Sequence, residues 1–156
     1  MRLDYIEPII ESAVSVLAEF TAAPVERGDM GLHGNSSASK DVAAIIGMTG
    51  DVDGRVIIEM DDATAVAMAG IMNQEPFKTL DRLALDCLME LANVMAARAV
   101  SSLNDRGFLF RLTPPLIFTG DNLAFFSNLN LETLVVPLRT KAGDLNLNVS
   151  LRMNVL

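Results

Sequence analysis

The chain has 156 residues, 51% of them hydrophobic and 21% charged, and lacks any run of about 18 apolar residues, which suits one folded domain spanning 1–156 and excludes a membrane-spanning helix. Twenty acidic against twelve basic residues give a formal charge of −8 without a Lys/Arg cluster, which argues against a nucleic-acid module that tracks phosphates. A single cysteine, Cys87, excludes an intrachain disulfide and a Cys-rich zinc site. The single histidine, His33, has no second histidine for a metal cluster and no cysteine beside it to activate, so it reads as a loop or strand-end residue.

Asp4 is placed to cap a first helix whose Tyr5, Ile6, Ile9, Ile10, Ala13, Val14, Leu17 and Phe20 share one face, with Pro8 in the first turn. Acidic residues at 4, 7, 11 and 19 interrupt this segment as no secretory leader would tolerate, so the expected location is the cytoplasm. Val25 to His33 has the pattern of a weak strand, and Gly34 to Lys40 that of a polar loop. Val42 to Met48 and Arg55 to Met60 are short β-branched runs joined by a glycine- and aspartate-rich stretch, predicting an antiparallel hairpin. No Gly-Lys-Ser/Thr follows Gly47, Gly50 or Gly54, so these glycines do not form a phosphate loop.

Asp61 and Asp62 are expected to cap a helix from Ala63 to Met72, ended by Asn73 to Pro76. A long helix should then run from Leu80 to Leu103, with Asp81 near its positive end and Asn104 to Gly107 as its stop. Beyond it the chain reads as strands: Phe108 to Leu112, Leu116 to Thr119, Leu123 to Ser127, Thr133 to Thr140 and Leu145 to Val155. In the last, Leu145, Leu147, Val149, Leu151, Met153 and Val155 alternate with polar residues, predicting one buried and one wet face. Pro137 predicts an edge position or a bulge in the strand Thr133 to Thr140 that contains it. The order of elements implies an α+β fold, a largely antiparallel sheet with helices packed on one face.

Within the long helix, Leu80, Ala84, Cys87, Leu88, Leu91, Val94, Met95 and Ala99 recur at helical spacing and form the expected buried stripe, which makes Cys87 a small core residue. At roughly 100° per residue, Glu90 falls about 100° to one side of Leu91 and Asn93 about 160° round on the same side. Both should face outward, among Asp86, Met89, Ala96 and Ala97, on a surface low enough for another molecule to lie against. A carboxylate can hold a partner's cation, and a carboxamide three residues on can donate and accept hydrogen bonds, a combination suited to steering a water molecule.

The strings Asp4-Tyr5-Ile6 with Pro8, Asp41-Val42, Ile45-Ile46-Gly47-Met48-Thr49-Gly50-Asp51-Val52-Asp53-Gly54-Arg55-Val56 and Glu90-Leu91-Ala92-Asn93 resemble the CheX group of chemotaxis phosphatases, related to CheC. The resemblance implies hydrolysis of the aspartyl-phosphate of a CheY-like response regulator. By that resemblance Glu90 pairs with a lysine of the regulator, Asn93 aligns the attacking water, and Mg2+ is supplied by the partner, this chain holding no cofactor. It also implies a homodimer formed through the sheet, for which the long terminal strand is expected to offer an edge. Family members often carry Gly before the Glu and Gly-Asn beyond the Asn, where this chain has Met89 and Ala97-Arg98, substitutions that bear on partner choice. Glu11 is followed three residues later by Val14 rather than Asn, which implies one site per chain.

Two other readings fit the same sequence less well. One is a noncatalytic response-regulator-binding module related to flagellar switch proteins, against which the retention of both Glu90 and Asn93 argues. The other is a small-molecule sensor with an apolar pocket between helix and sheet, for which no polar constellation is present.

Overall fold

The computed structural model describes residues 3–33, 36–38, 40–121, 123–126 and 132–153, with backbone alone at 33, 36–38, 126 and 153. Among the described residues three helices, α1 (Leu3–Thr21), α2 (Asp62–Asn73) and α3 (Arg82–Asp105), accompany ten strands. The strands are β1 (Glu26–Arg27), β2 (Gly31–His33), β3 (Ser36–Ala38), β4 (Val42–Gly50), β5 (Val52–Met60), β6 (Phe110–Leu112), β7 (Leu116–Thr119), β8 (Ala124–Phe126), β9 (Thr133–Thr140) and β10 (Gly143–Met153).

Eight strands form one sheet, β1-β9-β10-β5-β4-β6, with β2 also pairing β9 and β7 also pairing β4; β3 and β8 form a separate two-stranded ribbon. Every pairing is antiparallel. Val42, Ala44, Ile46, Val56, Ile58, Leu145, Leu147 and Val149 share one buried cluster with Ile6, Ile10 and Leu17 of α1, Met68 of α2, and Leu88, Leu91 and Met95 of α3. Alternate strand residues therefore turn to one face, and that face carries all three helices, as the α+β reading expected. No helix among the described residues is long and apolar enough to cross a membrane.

Several expectations change. The weak first strand is two short pieces, β1 and β2, opposite Leu138 and Val135 of β9 and separated by residues 28–30. Pro137 faces that break: its carbonyl accepts from Gly28 N at 2.8 Å, so its N–H-less side points away from β10 and the proline costs no central ladder bond. β9 is thus an interior strand beside an irregular neighbour. The segment read as a polar loop contains β3, paired with β8, while residues 34, 35 and 39 lie outside the described residues. Asp61 makes no side-chain cap; Asp41 Oδ2 accepts from Asp62 N at 3.3 Å instead. The first helix already begins at Leu3, two residues earlier than expected, so Asp4 lies in its first turn rather than at its cap and Pro8 lies in its second.

The terminal strand is the largest correction. β10 pairs β5 from Leu145↔Met60 to Met153↔Val52 and pairs β9 from Gly143↔Thr140 to Ser150↔Thr133. It is central to the sheet and offers no edge, and Asn154 and Val155 lie outside the described residues. Nor is its polar side wet: Asn148 and Ser150 are each 1% exposed, as is Glu59 on β5. Ser150 and Thr133 exchange a hydroxyl hydrogen bond at 2.7 Å, and Asn146 Nδ2 donates to Glu59 Oε1 at 3.4 Å. Neither amide atom of Asn148 has a hydrogen-bond partner among the described residues. A buried amide without partners is destabilising, and strands favour β-branched residues. Asn148→Val is expected to raise stability by about 1 kcal/mol, read as a higher urea midpoint at unchanged slope; a lower midpoint would show that the amide is satisfied in solution.

Candidate functional site

The long helix is fastened at both ends by local chemistry. Asp81, with extended φ −77° and ψ −178°, accepts from Ala84 N through its carboxylate at 2.9 Å and so caps the N-terminus. At the other end Gly107, φ 89°, donates to Asn104 O at 2.9 Å and Phe108 donates to Leu103 O at 3.0 Å, the paired bonds of a Schellman stop. Phe108 then stacks on Tyr5 of α1, ring centroids 4.5 Å apart. Asp51, at the β4–β5 corner, donates from its N to Leu109 O at 3.0 Å and accepts from Leu109 N at 2.8 Å. Gly50 makes this corner possible, because at φ 141° its missing Cβ would collide with the Leu109 carbonyl. A surface built on α3 is consequently a rigid one.

The buried side of α3 comprises Ala84, Leu88, Leu91, Ala92, Met95, Ala99 and Leu103. On a helical wheel this stripe is centred about 60° from Leu91, toward Ala92, so the outward direction lies between Glu90 and Asn93 and within about 40° of each. Both are exposed, together with Asp86 and Ala97. The pair is separated by about 4.5 Å along the axis, and Ala97, one turn beyond Asn93, raises no wall beside it. Met89 is half-buried on the flank. Ala96 is half-buried too but packs against the core and lines an apolar cavity under the helix, so it presents less surface than its expected docking role suggests.

Electrostatics separate Glu90 from the acids around it. Asp86 pairs with Arg82 at 3.3 Å, Glu19 of α1 with Arg98 at 2.8 Å, and Glu11 with Arg106 at 3.8 Å. Glu90 has no ion-pair or hydrogen-bond partner among the described residues, and neither has the amide of Asn93. Glu90 thus differs from Asp86, one turn before it on the same helix, in leaving its carboxylate open to an external cation. The Arg82–Asp86 pair is an i,i+4 pair that the helical spacing allows, whereas the two pairs between α1 and α3 are not visible in the sequence, since Glu19 and Arg98 lie 79 positions apart.

Arg98, one of the departures noted above, does not stand free on the docking face. Its two terminal nitrogens donate to the two Glu19 oxygens at 2.8 Å each, and Nη1 also donates to Ser15 Oγ at 3.0 Å. This bidentate clamp ties α1 to α3. The guanidinium holds the Glu19 carboxyl below its usual range, chiefly through the hydrogen bonds, and is itself raised by the same contact. A carboxyl whose folded pKa is lowered stabilises the fold above its ordinary pKa and loses that contribution as pH falls through the lowered one. Arg98→Ala is expected to return the Glu19 titration to the ordinary carboxylate value, read by carboxyl-carbon NMR; an unmoved titration would show that the clamp does not persist in solution.

Cys87 is half-buried against the core, and its thiol is pushed up by burial first and then by the Asp86 and Asp81 charges, which keeps it protonated and unreactive. No group of three or more His, Cys, Asp and Glu among the described residues could hold a metal ion. The cavity between α1, α3 and the sheet, lined by Ile9, Ala13, Ile46, Met95, Ala99 and Leu147 among others, is about 20 Å3 and almost wholly apolar. That is room for about one water molecule, and it gives a small-molecule sensor nothing to bind with.

The model of the family "Chemotaxis phosphatase CheX" matches residues 42–139, which include β4, β5, α2, α3 and most of β9. The CheY-P phosphatase CheX of Thermotoga maritima is 30% identical over 83 residues, 53% of this chain and 54% of that protein, so the match spans about half of the curated relative. CheX in the CheX-CheY-BeF3-Mg complex from Borrelia burgdorferi superposes with a TM-score of 0.83 at 34% identity, over 97% of this chain and 99% of that one. A CheC-like superfamily protein from Shewanella sp. PV-4 has a TM-score of 0.87 at 23% identity, again over 97% and 99%, and shares the fold. With well over half of its length inside the family model and the same fold across nearly all of it, the chain belongs to the CheX family.

Proposed function

We propose that this protein is a phosphatase that accelerates hydrolysis of the aspartyl-phosphate on a CheY-like response regulator. The observation that carries the reading is the exposed Glu90, without an ion-pair partner among the described residues, beside the exposed Asn93 on a rigid helix whose neighbouring acid Asp86 is already paired. Family membership and the named activity of the Thermotoga relative support it, as does the Borrelia complex, in which a CheX holds a CheY.

In this mechanism Glu90 accepts hydrogen bonds from a lysine ammonium of the regulator, which fixes the register of the two proteins. Asn93 then enters the regulator's site, where its carbonyl oxygen accepts from the attacking water and its N–H2 donates to a neighbouring oxygen. The water oxygen bonds to phosphorus while the bond to the aspartyl oxygen breaks, leaving a free carboxylate and inorganic phosphate. The Mg2+ belongs to the regulator and neutralises charge on the phosphoryl oxygens; this chain contributes orientation. That division of labour suits phosphoryl transfer, where positioning and charge stabilisation supply most of the catalysis.

The test is release of phosphate from a panel of phosphorylated regulators of the source organism, with and without the protein. Faster loss from at least one regulator is the expected result. Equal decay across the panel, with binding retained, would leave a noncatalytic docking module instead.

A further inference from the structure

Leu83 occupies the first turn of α3 between buried Ala84 and exposed Arg82, yet its own side chain is 54% exposed. It is the exposed large hydrophobic residue of α3 among the described residues. Exposed leucines are ordinary on protein surfaces. The position of this one is not: seven residues before Glu90, it lies within about 20° of Glu90 around the axis and roughly 10 Å along it. Leu83, Glu90, Asn93 and Ala97 thus form one outward stripe. Arg82 and Asp86, paired at 3.3 Å, supply a polar rim beside the leucine, the arrangement found where an apolar contact sits inside an interface.

The size of a protein–protein contact brings Leu83 into it. An interface of about 800 Å2 per partner covers a disc of roughly 16 Å radius, and Leu83 lies about 13 Å along the axis from the midpoint of Glu90 and Asn93. A regulator seated over that pair therefore covers the leucine as well.

We propose that Leu83 is an apolar anchor for the regulator's receiver domain and sets affinity and choice among regulators; this inference rests on the phosphatase reading above. An ammonium and a phosphoryl group are features that each phosphorylated receiver presents to Glu90 and Asn93 under that reading, so discrimination falls to contacts beyond them. An apolar side chain meeting Leu83 is such a contact, and a charged or polar one there is penalised by desolvation.

Leu83→Ala, Leu83→Asp and Leu83→Met are compared with the unmodified protein by two measurements: dephosphorylation kinetics on the preferred regulator, and calorimetric affinity for that regulator loaded with Mg2+ and fluoroberyllate. Leu83→Ala is expected to raise KM and Kd about tenfold with kcat and the unfolding midpoint unchanged, as loss of uniform binding requires. Leu83→Asp should raise them further, Leu83→Met should stay within about twofold of the unmodified protein, and the preference between the best and second-best regulators should narrow in Leu83→Ala. KM and Kd within twofold for Leu83→Ala, or a loss confined to kcat, would overturn the anchor while leaving the phosphatase reading intact. An unmodified protein that binds without accelerating hydrolysis removes the phosphatase reading, and the Kd values then decide for or against Leu83 by the same thresholds. An unmodified protein that neither binds nor accelerates any regulator overturns both.

Discussion

Asn93→Ala is expected to return hydrolysis of the regulator's aspartyl-phosphate to the regulator's own rate, with a loss of about 10²–10³ in kcat, the range seen when one preorganised hydrogen-bonding group is removed from a reacting centre. The carboxamide is exposed and makes no hydrogen bond within the described residues, so nothing in the fold depends on it and the unfolding midpoint should stay within the small range of surface substitutions. Binding should change little, since the anchoring charge remains. Asn93→Asp sharpens the point: it keeps the shape but replaces the N–H2 donors with negative charge facing a phosphoryl group, and should be no better than alanine. Stopped-flow phosphate release under single-turnover conditions, with calorimetric unfolding in parallel, checks both halves. A kcat retained within a few-fold would remove Asn93 from the chemistry.

Glu90→Ala should act on the other parameter. Truncating one partner of an interfacial charge pair costs roughly 2–5 kcal/mol, which converts to a rise in KM of about thirtyfold or more at 1.4 kcal/mol per factor of ten. At saturating concentrations kcat should approach that of the unmodified protein, because Asn93 is still in place. Glu90→Lys adds like-charge repulsion to the loss and should abolish engagement. The ionic-strength dependence of KM carries an independent signature: salt screens the unmodified pair and raises KM, whereas the Glu90→Ala protein should show a flatter dependence. Unchanged KM in Glu90→Ala would mean that the regulator is held elsewhere.

Much of this surface was legible because α3 is long and strongly periodic. Leu88, Leu91 and Met95 reveal its buried side, and Asp81 at the cap and Gly107 at the stop are residue types with local reasons for their places. Glu90 and Asn93 follow by rotation alone. Leu83, seven residues before Glu90, falls on the same side by the same rotation.

What local pattern could not supply is everything set by distant partners. The alternation in β10 correctly separates Leu145, Leu147 and Val149 from Asn146, Asn148 and Ser150, yet alternation says only that two faces differ. Whether the polar face is wet depends on what packs over it, which alternation does not carry, and Asn148 and Ser150 are each 1% exposed. The helix cap provided by Asp41 joins residues 21 positions apart. The ribbon strand β3 has the composition of a loop and becomes a strand only through β8. The compensation of Glu11 and Glu19 by Arg106 and Arg98 is long-range in the same way.

One titration distinguishes anchoring from water alignment: the decay rate of a phosphorylated regulator followed against increasing concentration of the unmodified protein, of Glu90→Ala and of Asn93→Ala. The unmodified protein should saturate at a fast plateau, Glu90→Ala should climb toward that plateau only at much higher concentration, and Asn93→Ala should bind while its curve stays flat at the regulator's own rate. An Asn93→Ala curve that rises to the same plateau, or three curves that coincide, would contradict the roles given to these two side chains.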